Sequence, residues 1–102
     1  MARCYQDALP ALDTAFNAAD ANDIGIYLSI EGREKAGLKD VDNWLLGIKK
    51  LMKKYTKRHS FIGIDLINKP FMDQTLLARY WEKGYQTVRK FCKNCLIFIS
   101  SR

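Results

Sequence analysis

The residues of this chain that could do chemistry gather around one short stretch, positions 61–70, which reads Phe61-Ile62-Gly63-Ile64-Asp65-Leu66-Ile67-Asn68-Lys69-Pro70. The stretch is rich in Ile and Leu, is preceded by Lys57-Arg58-His59-Ser60, and is stopped by a proline. That boundary pattern predicts a buried parallel strand rather than a helix of equal apolarity. Asp65 interrupts the apolar run, so one sheet face there is polar or meets something polar. Asn68 and Lys69 fall at the C-terminal end of the strand, where open and barrel α/β folds carry their functional groups. Glu31 closes an earlier candidate strand, and with Asp65 it could present two carboxylates to one sheet face. Acid–base chemistry needs more than two carboxylates: a nucleophile or a held substrate must sit beside them. The neighbours here are isoleucines, so the plainer reading is a polar strand end.

Three other patterns invite a chemical reading. Cys92-Lys93-Asn94-Cys95 is a C-x-x-C, but redox cysteines of this spacing sit at a helix N-terminus, where the dipole lowers the thiol pKa. Here the first cysteine lies at the C-terminal end of a predicted helix. Zinc would need four ligands, and Cys4 and His59 are the only other Cys or His side chains; the pair reads as two ordinary thiols flanking a turn. His59 stands alone at a helix end and reads as a cap-region residue, not a metal ligand. Residues 49–58 form the densest basic run, with Tyr55 and His59 close by. Its lysines fall on the outer side of an amphipathic helix, which is the position of a solvated face.

The elements that would place these residues follow from periodicity. Leu9, Leu12, Phe16 and Ala19 recur at helical spacing over residues 7–21, with Asp7 as the expected cap and Pro10 in the first turn. Asn22-Asp23 is expected to end that helix. Residues 24–30 alternate, with Ile24, Ile26, Leu28 and Ile30 on one face and Gly25, Tyr27, Ser29 and Glu31 on the other. A polar loop over residues 32–37 leads to a second helix, capped by Asp40 and running to about residue 57. It buries Val41, Trp44, Leu45, Ile48, Leu51, Met52 and Tyr55, and turns Lys49, Lys50, Lys53, Lys54 and Lys57 outward. After the strand at 61–67, Asp73 caps a third helix with Leu76, Leu77, Tyr80, Trp81, Tyr85, Val88 and Phe91 inward. Residues 95–100 form the last strand. The predicted order is helix-strand-helix-strand-helix-strand. Helical crossovers of this length join parallel strands and are nearly always right-handed, so both crossover helices lie on one side of the sheet. The opposite face, with Tyr27, Ser29, Gly63 and Asp65, is left uncovered, whereas parallel sheets normally bury both faces.

The whole is 102 residues with a net charge of +6 and 48% hydrophobic residues. This is one domain or part of one, with a folded rather than disordered composition. A basic balance of this size permits anionic partners without demanding them. No apolar run approaches the ~18 residues of a membrane span, and the first residues lack the apolar stretch of a signal peptide. Three cysteines make a disulfide framework of the small secreted kind unexpected.

Read as text, Gly63-Ile64-Asp65-Leu66-Ile67-Asn68-Lys69-Pro70 resembles a strand of glycoside hydrolase family 5, most closely its fungal-type exo-β-1,3-glucanases. That family reads G-I-(D/E)-L-(L/I)-N-E-P there, and one position departs. Upstream, Leu12-Asp13 with Phe16, then the segment from Ile24 to Gly32, resembles the helix and strand leading to the family's D-L-H-G. Downstream, Tyr85-Gln86-Thr87-Val88-Arg89 resembles the helix before its fifth strand. The resemblance implies a (β/α)8 barrel, of which residues 1–102 would be a single partial segment holding strands three to five. It implies further that Lys69 occupies the position of the general acid and base, and that Asn68 is the neighbouring asparagine that helps hold the sugar. Glu31 stands where the family has histidine, as a second substrate-side residue, and Arg33-Glu34-Lys35 replaces an A-P-G loop. The nucleophilic glutamate belongs to a later strand that these residues do not include. The expectation is a degenerate β-glucan hydrolase segment, inactive alone, with no cofactor and no metal. It would bind β-glucan or oligosaccharide weakly at most, would have no nucleic-acid partner, and could self-associate through the open sheet face. The family is usually secreted or associated with the cell wall. The alternative reading is a small basic α/β module for an acidic partner or nucleic acid.

Overall fold

The computed structural model describes residues 2–31, 37–68 and 73–99. The element order is α1 (Ala2–Asn22), β1 (Ile26–Glu31), α2 (Leu38–Tyr55), β2 (Phe61–Asn68), α3 (Gln74–Phe91) and β3 (Leu96–Phe98). The three strands form one open parallel sheet in the order β1-β2-β3, so the α/β architecture expected from the periodicity is present. α2 and α3 pack against each other, with Trp44 meeting the Tyr80 ring edge-on at 5.9 Å. Each of these residues lies six positions into its helix, so the two helices run side by side at equal depth.

One core lies between the sheet and the helices. Phe16 of α1, Val41, Ile48, Met52 and Tyr55 of α2, Ile64 and Leu66 of β2, and Tyr80 and Val88 of α3 are all fully buried. α1 belongs to this helical layer: Phe16 stacks on Tyr55 with centroids 4.4 Å apart and planes 10° from parallel, and Tyr55 donates its hydroxyl to Asp13 at 2.7 Å. Helix α3 approaches β2 closely because residue 84 is glycine. A Cβ there would come within 3.2 Å of both Leu66 methyl groups.

The element ends differ from the sequence reading in instructive ways. α1 begins at Ala2, so Asp7 lies inside the helix and is not its cap, and Pro10 sits mid-helix. The residues before Asp7 include good helix formers, and Pro10 is exposed, where the loss of its N–H costs least burial. At the other end Asp23 takes a left-handed backbone, φ 55°, and Ile24 N–H bonds back to the Ala19 carbonyl at 3.0 Å, which is a Schellman closure. That closure takes Ile24 out of the strand and leaves it 58% exposed. α2 is capped by Gly37, not Asp40. Asp40 is the third residue of the helix and accepts the Gly37 N–H at 3.0 Å. Asp73 caps α3 as expected, accepting from Leu76 N–H at 2.8 Å. Periodicity predicts Tyr85 inward, yet it is half exposed, and Gly84 is the buried member of that turn. Of the stretch 95–100, Leu96–Phe98 is strand among the described residues, and Ser100 lies outside them.

Candidate strand-end site

Parallel pairing brings the C-terminal ends of β1 and β2 together, with Glu31 opposite Asn68 in register. This is the juxtaposition that the strand-end reading requires. Lys69, Pro70 and the 32–36 stretch lie outside the described residues. The pairing also sets the register of the two carboxylates considered as a pair. Asp65 lies opposite Ser29 on one side and Phe98 on the other, and a register shift between Ser29 and Glu31 takes Glu31 on to Asn68. Glu31 is therefore not directly opposite Asp65 but lies further along the ladder.

A second irregularity lies at the other end of β2, between Ile26 and Tyr27 of its partner. It has the form of a bulge at Ile62: Phe61 and Ile64 are both buried while Ile62 is 43% exposed. From Gly63 onward one face of β2 meets the helices and the other is open. The open face carries Tyr27 and Ser29 from β1, Gly63 and Asp65 from β2, and Leu96 and Phe98 from β3. Tyr27 is 55% and Phe98 43% exposed, and their rings meet across β2 at 5.4 Å between centroids. Gly63 makes this possible, because a Cβ there would run into the Leu96 carbonyl oxygen and lie 2.9 Å from Leu96 Cβ. Behind the sheet, the buried Tyr80 hydroxyl donates to the Leu66 carbonyl. Burial, and secondly the Asp65 charge, push the Tyr80 pKa above its ordinary value.

The other sequence candidates find structural roles. Cys92 is the C-terminal cap residue of α3, and burial pushes the Cys95 thiol up to about 11, the opposite direction from a redox cysteine. Arg89 ties this turn together, donating from Nη1 to the carbonyls of Cys92 at 3.1 Å and Cys95 at 2.8 Å. His59 faces Asp23 at 3.4 Å, both well exposed. No group of three or more His, Cys, Asp or Glu that could hold a metal ion occurs among the described residues. None of the described helices is long and apolar enough to cross a membrane.

Sequence reasoning missed the junction between α1 and the start of β2. Arg58 belongs to the basic run by sequence, but it turns into α1, reaching Asp20 at 2.8 Å and Asn17 at 2.7 Å with its guanidinium 5.6 Å from the Phe16 ring centroid. Ser60 N–H donates to the other Asp20 oxygen at 2.9 Å. Hydrogen bonds from Ser60 and from Arg58 hold the Asp20 carboxyl at about 2. The signal was present: Asp13, Phe16, Asn17 and Asp20 lie on one helical stripe, a mixed face suited to an element that is both packed and ion-paired.

No protein-family model matches this chain, and no curated protein matches it either.

Proposed function

We propose that these 102 residues are a non-catalytic segment of a carbohydrate-active α/β barrel of the glycoside hydrolase family 5 kind, keeping a vestige of its sugar-binding strand edge. The observation that supports this reading is the register of Glu31 against Asn68 at the C-terminal ends of two adjacent parallel strands. The open parallel sheet of three strands, joined by helical crossovers, also supports the reading. Retaining hydrolysis takes two carboxyl groups ~5 Å apart, one to protonate the leaving oxygen and one to attack the anomeric carbon. Position 69, where the resemblance calls for the acid, is lysine. An ammonium at that position opposes the positive charge of an oxocarbenium-like transition state.

The purified chain should turn over neither β-1,3-glucan nor an aryl β-glucoside, and Lys69→Glu alone should not rescue it, because the second carboxyl is still missing. Laminari-oligosaccharides at millimolar concentration should shift the backbone amide resonances of Glu31 and Asn68, and Asn68→Ala should abolish the shifts. Turnover by the wild-type chain, or the absence of any perturbation at these two amides, would overturn the reading.

A further inference from the structure

The cations of this chain are not spread evenly over its helices. No acidic residue occurs from Asn43 to Ile64 or from Lys83 to Arg102, so the C-terminal halves of α2 and α3 carry only positive charge. The two helices lie side by side at equal depth, which brings these halves together near the N-terminal ends of the strands, away from Asn68. On the α1 side the charge is partly answered: Lys54 approaches Asp13 at 3.6 Å and Arg58 pairs with Asp20 at 2.8 Å. On the α3 side lies a shallow depression of about 510 Å³ lined by Tyr85, Gln86, Arg89, Lys90 and Lys93. Tyr85 is 50% exposed, and the Arg89 guanidinium lies 5.3 Å from its ring centroid. The bonds from Arg89 to the Cys92 and Cys95 carbonyls fix it beside that ring.

We propose that this depression is a binding site for single-stranded nucleic acid, one base stacking on Tyr85 and the backbone phosphates meeting Arg89, Lys90 and Lys93. The combination of an exposed aromatic ring with cations is that of a stacking platform in an electrostatic track, which is sequence-tolerant and needs an unstacked base. A duplex offers no such base, and none of the described elements presents a helix N-terminus or strand ribbon to a groove at this point. A bilayer asks for aliphatic side chains among the cations, whereas the one large apolar group of this surface is a tyrosine. An acidic peptide would use the charge and leave the ring idle. The lysines that sequence periodicity assigns to a solvated face thereby extend the track across α2. The inference does not rest on the carbohydrate reading.

The test is fluorescence anisotropy of the full chain with a short labelled oligothymidylate at low salt, beside a duplex of equal length, polyglutamate and anionic phospholipid vesicles. The single strand should bind best. Its log K against log salt should fall with a slope of about −0.7 per phosphate neutralised, and Lys90→Gln with Lys93→Gln should reduce that slope by about 1.4. Tyr85→Ala should weaken binding by about tenfold, with Tyr85→Phe restoring it. Circular dichroism should show unchanged helicity in each variant, since the three altered side chains are on the surface. Equal or better binding of duplex, polyglutamate or vesicles would overturn the proposal. So would an affinity unmoved by Tyr85→Ala, or no binding of the single strand at low salt.

Discussion

Phe16→Ala tests whether α1 is part of the core or a helix resting on it. Phe16 is fully buried, stacked on Tyr55 at 4.4 Å and overlain by Arg58 at 5.6 Å. Truncating a buried Phe to Ala costs about 3–5 kcal/mol, depending on how far the site collapses. Collapse here is limited on one side by Tyr55, which Asp13 holds through its hydroxyl. A domain of this size has roughly 5–15 kcal/mol in total, and a three-strand sheet open on one face belongs near the bottom of that range. The substitution should therefore remove half or more of the stability. At about 4–8 °C per kcal/mol it should lower the melting temperature by more than about 12 °C. Tyr55→Phe is the companion variant: it keeps the stack and removes only the bond to Asp13, for about 0.5–1.5 kcal/mol. Urea titration followed by far-ultraviolet circular dichroism measures both, and the slope carries separate information. If α1 detaches in the Phe16→Ala native state, less surface remains to be exposed and the slope falls with the midpoint. A loss below about 1 kcal/mol for Phe16→Ala, no greater than that for Tyr55→Phe, would refute the placement of α1 in the core.

Three further outcomes follow from the same contacts. Asp20 has a folded-state pKa of about 2, depressed from 3.8, so its contribution is full above about pH 4 and is lost as the pH falls toward 2; thermal melts through the acid range should show this loss, and Asp20→Asn should remove that part of the slope. Gly63→Ala forces β3 away from β2 at Leu96, and should cost about 1–3 kcal/mol with faster amide hydrogen exchange at Ile97 and Phe98; unchanged exchange there would count against the close approach. The open face with Tyr27, Leu96 and Phe98 exposed, together with the outer edges of β1 and β3, should drive concentration-dependent self-association, and sedimentation showing a monomer at all concentrations would refute it.

The sequence made the alternation of elements legible because each helix carries a clean stripe and each strand a clean boundary. Val41, Ile48, Leu51, Met52 and Tyr55 are buried as their spacing requires, and the uncovered sheet face follows from two crossovers on the same side. What escaped was decided by contacts that periodicity does not encode. Asp7 has the sequence position of a cap because it precedes an apolar stripe, but helix propensity carries α1 back to Ala2. Tyr85 falls on the apolar stripe of α3, yet Gly84 is the residue that lets the helix settle on Leu66, and the ring is left half outside. Arg58 reads as one more cation until the chain folds and Asp20 and Asn17 come within reach, partners 38 and 41 residues away. Of the strand-end residues, the pairing of Glu31 with Asn68 was implicit in the parallel order. The extra β2 residue between the Ser29–Asp65 and Glu31–Asn68 pairs was not, since it is a register shift.

The direction of the helices keeps the two proposed sites apart. α3 starts beyond the C-terminal end of β2 and returns alongside it, so its first turn lies near the Asn68 edge and its last turn near the opposite end of the sheet. Tyr85 is eleven residues into α3 from Gln74, and at 1.5 Å per residue that is roughly 16 Å of axial displacement. An oligosaccharide at the Glu31–Asn68 edge and a nucleotide on Tyr85 therefore occupy different ends of the molecule. The two also differ in chemistry. On the proposed carbohydrate reading, the strand edge carries lysine at position 69 where hydrolysis would need a carboxylate, and it would hold at most a neutral, weakly bound ligand. The helix ends combine clustered cations with an aromatic ring and need no catalytic group at all. Changes at the first could leave the second undisturbed, because the carbonyls that hold Arg89 in place, those of Cys92 and Cys95, belong to the α3–β3 turn and not to the strand edge. Saturating the chain with laminari-oligosaccharide should accordingly leave its affinity for oligothymidylate unchanged, and competition between the two ligands would show that one surface serves both.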